Sequence, residues 1–393
     1  MLLNVEDYRR LARRRLPRFV FEYVDGGAED GRCMARNRGA LDELALLPQC
    51  LRDTASVDGA IEVFGQTWRA PFAVGPTGFN GLLRPGGDLL LARAAAAAGV
   101  PFVLSTASNA RLEDVRQAGG TQWMQLYVMS DRAIAEQMVK RARGAGYSAL
   151  VLTVDVPVSG YRECDVRNGF RLPFRPTPRT LLDLCRHPAW LLRMAAGGMP
   201  QFANLAESPE AAGSPQVQAA LLARAMDRSL VWDSLAWLRK LWDGPLLIKG
   251  LLHHGDAYKA LLQGVDGVIV SNHGGRQLDA APATMAVLPR ILDTVGQRMP
   301  VFVDSGFRRG SDVVKALALG AKGVFLGRPV LYGLGARGEA GAGAVLALLA
   351  EEVARTMTLI GAARVDQIGP HNLYRPEEAA SPAAVEPTKA LRA

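Results

Sequence analysis

The stretch GVIVSNHGGRQLD, residues 267–279, places an apolar run directly before a polar, glycine-rich one. The apolar run predicts a short buried strand bounded by turn signals. Parallel α/β folds keep their functional groups at the carboxyl ends of such strands. The two glycines allow backbone or a flat ligand to come close, and His273 and Arg276 are near enough in sequence to face one pocket. A polar loop with a structural histidine is the alternative on this stretch alone.

Seven other apolar runs have the same form, each followed by a turn and an amphipathic helix. Eight such units predict a (β/α)8 TIM barrel, an α/β fold with a long insertion after strand 4, in one domain spanning residues 1–376. An open doubly wound sheet is the alternative, but it would need fewer strands or a second domain. A helix is also predicted over residues 5–24. The eight predicted strands are residues 71–75, 101–105, 123–127, 149–155, 246–250, 267–271, 301–304 and 323–327.

The composition indicates a globular protein without an obvious targeting signal. Half of the 393 residues are apolar, and the net charge of +8 is spread along the chain with one concentration at residues 171–200. We expect no nucleic-acid partner. The first residues lack the basic-then-apolar order of a secretory signal, and we find no uninterrupted apolar run of about 18 residues. Four scattered cysteines argue against a zinc site or a disulfide framework, so no metal is expected. Scattered, unpaired cysteines fit a reducing compartment, and we therefore expect a cytoplasmic location.

The insertion, residues 156–230, is far longer than an ordinary loop of a barrel, and such insertions are usually functional or disordered. Its part from about 177 to 205 combines apolar anchors with an excess of arginine, which is the pattern of a segment that lies on an anionic membrane surface. An active-site lid or an oligomer contact is equally compatible with this composition. The tail, residues 377–393, is predicted to be disordered. The apolar anchors in the middle of the insertion are Leu181, Leu182, Leu184, Trp190, Leu191, Leu192 and Met194, and the arginines of residues 171–200 are Arg171, Arg175, Arg179, Arg186 and Arg193, against the single acid Asp183.

The residues at the ends of the predicted strands form a ring of polar and charged groups, which a barrel needing only stability would not place there. After strands 7 and 8, DSGFRRG at 304–310 and the pair Gly327-Arg328 suggest a phosphate site made of backbone amides, a helix N-terminus and an arginine. A simple turn is the alternative for either segment alone. The ring consists of Thr77, Gly78, Ser105, Gln125, Tyr127, Thr153, Asp155, Lys249, His273, Arg276, Asp304, Arg308, Gly327 and Arg328.

Taken together, these motifs resemble the FMN-dependent (S)-2-hydroxy acid dehydrogenase and oxidase family. The resemblance covers nearly the whole chain, from Tyr8 to about Asn372, and the motif at 271–279 is highly specific. Within the family, GPTGFNG at 75–81, GYRE at 160–163 and DSGFRRG at 304–310 are most similar to the mandelate dehydrogenases. HPAW at 187–190, in the insertion, resembles both mandelate and lactate dehydrogenases, which the resemblance places on membranes.

The resemblance implies how the substrate would be held. Arg162 and Arg276 would bind its carboxylate, as planar forks suited to bidentate contacts, and the hydroxyl of Tyr23 would add a donor. Tyr127 would bond to the substrate hydroxyl. The small residue Gly78 and its neighbours favour an aromatic 2-hydroxy acid, with lactate or another aliphatic acid as the alternative.

The resemblance also implies a base and an FMN site. His273 would be the general base, because an imidazole can take a proton near neutral pH, and Asp155 would orient it. Lys249 would lie near the flavin N1 and O2, where negative charge accumulates on reduction. The remaining FMN contacts would be Thr77, Gly78, Ser105, Gln125, Thr153 and Ser271 around the ring, Asp304 at the ribityl chain, and Arg308, Gly327 and Arg328 at the phosphate.

The implied reaction is oxidation of an (S)-2-hydroxy acid, with mandelate as the first choice, to the 2-oxo acid by FMN. The hydrogen on C2 leaves either as a proton or as hydride, and both routes require the same base and arginines. The insertion favours a membrane quinone as the second acceptor and attachment to the inner face of the cell membrane, with an oxygen-using oxidase as the alternative. The resemblance suggests a tetramer. A non-redox flavin-binding barrel and a barrel isomerase or lyase acting on a phosphorylated substrate are the remaining alternatives.

Overall fold

A computed structural model describes residues 1–169, 177–198, 200–205 and 226–374. Eight parallel strands close into a barrel, each paired with the next along the chain and the last with the first. All eight predicted strands are present within two residues of their predicted ends, so the expected TIM barrel is confirmed. The strands are β3 (Phe72–Val74), β4 (Phe102–Leu104), β5 (Gln122–Leu126), β6 (Ala149–Thr153), β7 (Leu246–Leu251), β8 (Gly267–Val270), β9 (Val301–Val303) and β10 (Gly323–Leu326).

Helices connect these strands and cover the outside of the barrel, so that every described barrel strand is buried along its length apart from a half-buried glycine in β7. This burial on both faces is why the strands are almost uniformly apolar. The helices are α1 (Val5–Arg15), α2 (Arg18–Asp25), α3 (Arg32–Glu43), α4 (Gly87–Ala98), α5 (Leu112–Arg116), α6 (Arg132–Ala145), α7 (Glu163–Arg167), α8 (Pro178–Cys185), α9 (Pro188–Gly197), α10 (Ser234–Leu241), α11 (His254–Leu262), α12 (Thr284–Val295), α13 (Gly310–Leu319), α14 (Arg328–Arg337) and α15 (Glu339–Leu359).

A small hairpin closes the amino end of the barrel. Its strands, β1 (Ile61–Val63) and β2 (Gln66–Trp68), pair antiparallel. Trp68 is fully buried, and its ring centroid lies 5.4 Å from that of Trp123 and 5.8 Å from that of Phe302. Burying an aromatic side chain of this kind contributes about 1.5–3 kcal/mol. The amino end of the barrel is thus filled by packed side chains. The face left for a binding site is therefore the other end of the barrel, where the carboxyl ends of the strands lie.

The predicted helix over residues 5–24 is divided into α1 and α2, which corrects the single helix expected from the sequence. The division falls at Leu16, which is extended with φ −106° and ψ 141°. Pro17 causes it, because the residue before a proline is driven out of the helical region. The change of direction lets α2 run separately from α1, and Tyr23 on α2 reaches the mouth of the barrel, where it lines the main cavity.

The insertion follows β6, the fourth strand of the barrel, and includes the helices α7, α8 and α9, whereas α10 lies between the insertion and β7. Thr177 caps α8 by accepting a hydrogen bond from the Thr180 amide, and Pro178 occupies the first turn, where its missing N–H costs nothing. Within the described ranges, no helix is long and apolar enough to cross a membrane. Arg171, Arg175 and the tail from residue 377 lie outside the described residues, so the predicted disorder of the tail stays a prediction.

Candidate active site

The carboxyl ends of the barrel strands surround a cavity of about 570 Å³. Thirteen of the seventeen predicted site residues line it, and the other four lie directly behind its wall. Polar side chains from separate strands therefore converge on one space, as a barrel site requires. The lining residues are Tyr23, Thr77, Gly78, Ser105, Tyr127, Arg162, Lys249, His273, Arg276, Asp304, Arg308, Gly327 and Arg328; those behind are Gln125, Thr153, Asp155 and Ser271.

His273 and Asp155 form an ion-pair-like contact across the cavity wall. Nδ1 of His273 lies 3.0 Å from Oδ1 of Asp155, and the Asp155 side chain is only 11% exposed. Burial raises the pKa of Asp155, but His273 and Lys249 outweigh it, so the pKa is held below its ordinary value. A carboxylate that stays ionised fixes the orientation of the imidazole and leaves Nε2 as the nitrogen for a ligand.

The backbone around this pair is shaped by residues with unusual conformations. His273 itself has φ +58°, in the left-handed region that a non-glycine residue seldom adopts. Gly250 has φ +110°, at a register shift between β7 and β8. A Cβ at Gly250 would lie 2.6 Å from the Cβ of Asp155, so the absence of a side chain there makes room for the carboxylate.

Lys249 occupies the wall of the cavity with its charge balanced from two sides. Its ammonium group donates to the Ser271 hydroxyl at 2.8 Å and lies 3.3 Å from Oδ2 of Asp304. Burial lowers the pKa of Lys249, but Asp304 and Asp155 outweigh it, and the pKa is raised. The side chain is therefore a buried, permanently charged ammonium. The Ser271 hydroxyl also accepts from the His273 amide at 3.0 Å, which connects Lys249 to the histidine loop.

Two arginines lie beside the aromatic ring of Tyr23. The guanidinium carbons of Arg276 and Arg162 lie 5.1 and 5.8 Å from the Tyr23 ring centroid, within the range of cation–π contact. Nη1 of Arg276 donates to the carbonyls of Tyr23, at 2.7 Å, and Gly26, at 3.0 Å. Nε of Arg162 donates to Oδ2 of Asp165 at 2.8 Å. These contacts fix both guanidinium groups in one part of the cavity.

This part of the cavity is strongly positive. Burial and the nearby charge of Arg162 lower the pKa of Arg276. Burial and Arg276 lower the pKa of Arg328 to about 10. Buried guanidinium groups that repel each other favour an anion between them. Tyr127 lies at the edge of the same region, and burial, reinforced by Asp155, raises the pKa of its hydroxyl, which is therefore protonated and able to donate.

The wall formed by β3, β5 and β6 carries buried polar atoms that have no partner in the described structure. They are Oγ1 of Thr77, Nε2 of Gln125 and Oγ1 of Thr153. Oε1 of Gln125 is bonded to the Ser105 hydroxyl at 3.1 Å, so its amide nitrogen has a fixed direction. Since an unsatisfied buried polar group is costly, atoms of this kind point to a missing polar ligand. A planar ring with several hydrogen-bonding edges, such as the flavin of FMN, fits this donor and acceptor set.

The loops after β9 and β10 suit the phosphate end of such a ligand. Gly327 leads into α14, and a Cβ at Gly327 would meet only Thr77 within 4 Å, so this position leaves room for a ligand beside the helix N-terminus. Arg308 lies beside it. The guanidinium of Arg328, for which a phosphate partner was predicted, bonds to two backbone carbonyls. Its Nη1 donates to the Gly274 carbonyl at 2.8 Å, and its Nη2 donates to the Gly26 carbonyl at 2.8 Å. Its direct phosphate contact stays a prediction.

Several side chains at the site were not identified from the sequence, and three of them bear on its chemistry. Gln277 lines the cavity and bonds to the loop after β6, and Asp165 orients Arg162. Phe202, from the insertion, lies on the cavity wall with its ring stacked 5.1 Å from that of Phe79. Gln277 belongs to the motif itself, and Asp165 follows Arg162 by one helical turn, so both carried a signal. Phe202 had none, because its partner is 123 positions away.

The chain is similar to several known proteins along most of its length. A model of the FMN-dependent dehydrogenase family matches residues 12–375. The (S)-mandelate dehydrogenase of Pseudomonas putida is 50% identical over 373 residues, which cover 95% of this chain and 94% of the relative. An L-lactate dehydrogenase of Caulobacter vibrioides is 44% identical, with 93% and 96% covered. A crystal structure of the monotopic membrane protein (S)-mandelate dehydrogenase superposes with a TM-score of 0.92 at 49% identity and covers 95% of this chain and 99% of that one.

Proposed function

Because the chain belongs to the FMN-dependent dehydrogenase family, we propose that it oxidises (S)-mandelate, or a similar aryl 2-hydroxy acid, to the 2-oxo acid. The protein is an FMN-dependent oxidoreductase that acts on the CH–OH group of a 2-hydroxy acid. L-Lactate is the second candidate substrate, since a relative named L-lactate dehydrogenase is 44% identical.

One observation supports the proposed reaction above the others: two half-buried arginines and His273, whose Nδ1 contacts Asp155, line one cavity. Arg162 and Arg276 both contact the ring of Tyr23, and His273 and Lys249 line the same cavity. A 2-hydroxy acid presents a carboxylate and an adjacent C–H and O–H. The cavity offers guanidinium groups for the first and an imidazole for the second.

In the proposed mechanism, the arginines bind and orient the substrate. Arg162 and Arg276 bind the carboxylate by donating hydrogen bonds from their guanidinium groups. Hydrogen bonds from Arg162 to Asp165 and from Arg276 to carbonyls at α2 keep those groups in place. Tyr127, protonated at neutral pH, donates to the substrate hydroxyl. Fixing the carboxylate and the hydroxyl leaves C2 with a single orientation in the cavity, which lowers the entropy cost of reaction.

His273 is the base. Its Nδ1 faces Asp155, so Nε2 takes a proton from the substrate, either the C2 proton or the hydroxyl proton, and the same side chains serve both routes. The imidazolium that forms is stabilised by the ionised carboxylate of Asp155. This stabilisation is stronger in a partly buried pair than it would be in water.

FMN, when bound, supplies the acceptor for the two electrons that leave the substrate. The residues that would hold its ring are Thr77, Gln125 and Thr153, whose buried polar atoms lack partners in the described structure. Lys249 would face the edge of the ring where negative charge is stabilised, and its raised pKa keeps it positive. The loops after β9 and β10 would hold the phosphate.

An aromatic wall supports an aryl substrate over lactate. The ring of Phe79 lies 5.1 Å from that of Phe202 and 6.3 Å from that of Tyr23, and all three line the cavity. Aromatic side chains in offset or edge contact provide apolar surface and a preferred geometry for another ring. The methyl group of lactate, being smaller than a phenyl ring, would leave that aromatic surface exposed to water.

Steady-state rates with (S)-mandelate, (R)-mandelate and (S)-lactate, measured with an artificial electron acceptor, test this proposal. We expect kcat/KM to be highest for (S)-mandelate and exceed that for lactate by about 10- to 200-fold, the range that an apolar pocket can supply. A higher kcat/KM for lactate would move the assignment to the second candidate. Turnover of (R)-mandelate at the same rate would contradict the proposed orientation by the arginine pair.

The helices α8 and α9 support a peripheral attachment to an anionic membrane surface. Leu181, Leu182 and Leu192 are 52, 58 and 71% exposed, whereas Trp190 is buried and donates to the Leu82 carbonyl at 3.0 Å. The pKa of Arg193 is lowered by burial, Arg84 and Arg15, so positive charge from three parts of the chain is concentrated near α9. Exposed leucines beside clustered arginines fit the interface of a bilayer with acidic lipids.

Sedimentation with vesicles containing phosphatidylglycerol tests the membrane proposal. Replacing Leu181, Leu182 and Leu192 together by serine should reduce the bound fraction, while turnover in solution stays at the native level. The matched control replaces Leu51, Leu262 and Leu359, which are 105, 68 and 62% exposed elsewhere on the molecule. Equal binding by both triple variants would contradict the proposal. Point variants are preferable to deletion of 177–205, because that deletion would also remove Phe202 from the cavity wall.

A membrane quinone is the proposed second acceptor, on the inner face of the cell membrane, because the proposed membrane surface lies close to the cavity. Trp190 of α9 contacts Phe19 with ring centroids 5.9 Å apart, and Phe19 shares α2 with Tyr23. Reoxidation of the reduced protein by a soluble quinone, compared with oxygen, tests this acceptor. Faster reoxidation by oxygen would indicate an oxidase instead.

The tetramer that the resemblance suggests is tested by the mass measured in light scattering.

A further inference from the structure

The proposed reaction needs two loops to keep a fixed separation. Asp155 and Arg162 lie on the loop after β6, whereas His273 and Arg276 lie on the loop after β8. These strands are not neighbours, because β7 lies between them in the barrel. Strand pairing therefore does not by itself set the distance between the two loops, and other contacts must do so.

The side chain of Gln277 joins the two loops directly. Its Nε2 donates to the carbonyls of Asp155, at 2.9 Å, and Val158, at 2.8 Å. Its Oε1 accepts from the amide of Gly160 at 3.0 Å. Both N–H groups and the oxygen of the amide are thus used on one loop, while the residue itself belongs to the other.

The backbones of the two loops are in close contact at this point. A Cβ at Gly160 would lie 2.2 Å from the Arg276 carbonyl oxygen and 2.7 Å from Cα of Gln277. Only glycine at this position lets the loops approach so closely. The contact lies two residues from Arg162, so the position of Gln277 is transmitted to that arginine over a short length of chain.

The linker after α2 also braces both loops. The amide of Ala28 donates to the Gly275 carbonyl at 2.9 Å, and that of Glu29 donates to the Tyr161 carbonyl at 2.8 Å. These backbone bonds do not involve Gln277. Loss of the Gln277 side chain should therefore change the relative position of the loops without unfolding them.

We propose that Gln277 is a positioning residue for the oxidation, holding Asp155 and Arg162 in register with His273 and Arg276. The inference rests on the proposed function. Through the carbonyl of Asp155, Gln277 acts on the contact between Asp155 and His273. Through the amide of Gly160, it acts on Arg162, which binds the substrate carboxylate. A displacement of about 1 Å at such groups can cost about 100-fold in rate.

The test compares Gln277→Met, which is similar in length and lacks the hydrogen bonds, with the native FMN-loaded protein. We expect kcat/KM to fall by about 10- to 100-fold, with a higher KM and a lower kcat, because both loops are displaced. Affinity for the 2-oxo acid product, measured by the perturbation of the flavin spectrum, should fall as well. Bound flavin and the melting temperature should stay close to native.

Gln277→Glu separates hydrogen bonding from shape. It has nearly the same volume, but its carboxylate would face the carbonyl oxygens of Asp155 and Val158, which it cannot donate to. We expect this variant to be impaired at least as much as Gln277→Met. Native activity in the glutamate variant would overturn the inference, since side-chain volume alone would then suffice.

Gln122→Met is the matched control. Gln122 is a buried glutamine at the amino end of β5, and its Nε2 donates to the carbonyls of Val115, at 3.0 Å, and Gly119, at 2.9 Å. This variant loses the same number of donated bonds away from the site, so its melting temperature should fall while kcat/KM stays native. Equal losses of activity in both methionine variants would reduce the role of Gln277 to stability and overturn the inference.

A double variant shows whether Gln277 acts through Arg162. If it does, Gln277→Met should reduce kcat/KM less in an Arg162→Met background than in the native one. Full additivity would overturn this route of action. A native protein that holds FMN but oxidises no 2-hydroxy acid would overturn the proposed function itself, and the inference with it. Native turnover that is unaffected by Gln277→Met would overturn the inference alone.

Discussion

Nδ1 of His273 lies 3.0 Å from Oδ1 of Asp155, although the two residues are 118 positions apart in the chain. The contact connects the ends of β8 and β6 and directs the other ring nitrogen of His273 into the cavity. It also explains why the carboxylate stays ionised in a buried place, since the imidazole and the ammonium of Lys249 hold its pKa down. The base and its orienting group are thus assembled before any substrate arrives.

Replacing Asp155 by asparagine should lower kcat/KM by about 10²- to 10⁴-fold, because the imidazolium formed in the reaction loses its counter-charge. The measurement is anaerobic reduction of the bound flavin in a stopped-flow instrument. Asp131→Asn is the control, since Asp131 caps α6 by accepting from the Ala133 amide at 2.9 Å and lies outside the cavity. A native rate for Asp155→Asn would remove the carboxylate from the mechanism.

Gly250→Ala should impair the same pair without changing any charged group. The new Cβ would lie 2.6 Å from Cβ of Asp155, and alanine is strained at φ +110°. We expect a loss of kcat/KM of at least about 10-fold together with a lower melting temperature. Gly264→Ala isolates the backbone term, because Gly264 has φ +69° and open space around its Cβ position. It should lower the melting temperature alone; equal activity losses in both variants would contradict the steric explanation.

Phe202→Ala should shift specificity away from aryl substrates. Removing this ring from the cavity wall takes away the surface stacked on Phe79, so kcat/KM for (S)-mandelate should fall by about 10- to 200-fold more than that for (S)-lactate. Phe64→Ala is the control, because Phe64 packs against Trp123 at the opposite end of the barrel. An equal loss for both substrates would show that Phe202 supports the fold of the insertion and does not select the substrate.

The fold could be predicted from the sequence because each strand of the barrel is a short apolar run with its own turn and helix. Residues at the carboxyl ends of those runs meet on one face by the rules of the fold, so His273, Lys249 and Asp304 could be assigned to one site before the structure was known. The division of the helix over residues 5–24 followed from a local rule, the effect of Pro17 on Leu16, which the periodicity of apolar residues concealed.

Contacts between side chains from distant parts of the chain could not be predicted in the same way. Gln277 bonds to residues 117 to 122 positions away, and nothing in the motif shows which carbonyls its amide reaches. The sequence also did not show that the guanidinium of Arg328 donates to the carbonyls of Gly274 and Gly26, where the end of α2 lies against the histidine loop; its expected contact with a phosphate stays a prediction. Such contacts depend on loop packing, which strand periodicity does not determine.

An anaerobic visible spectrum of the purified protein, recorded before and after the addition of (S)-mandelate, tests the central claim most directly. We predict the yellow spectrum of oxidised flavin, and we predict that (S)-mandelate bleaches it in the native protein. The reason is that Arg162 and Arg276 bind the substrate carboxylate and His273 takes the substrate proton. (S)-Lactate, added separately, should bleach it more slowly. A yellow protein that neither acid bleaches would contradict the proposed oxidation of these acids, and a colourless protein that FMN cannot reconstitute would contradict the assignment of the cavity to a flavin.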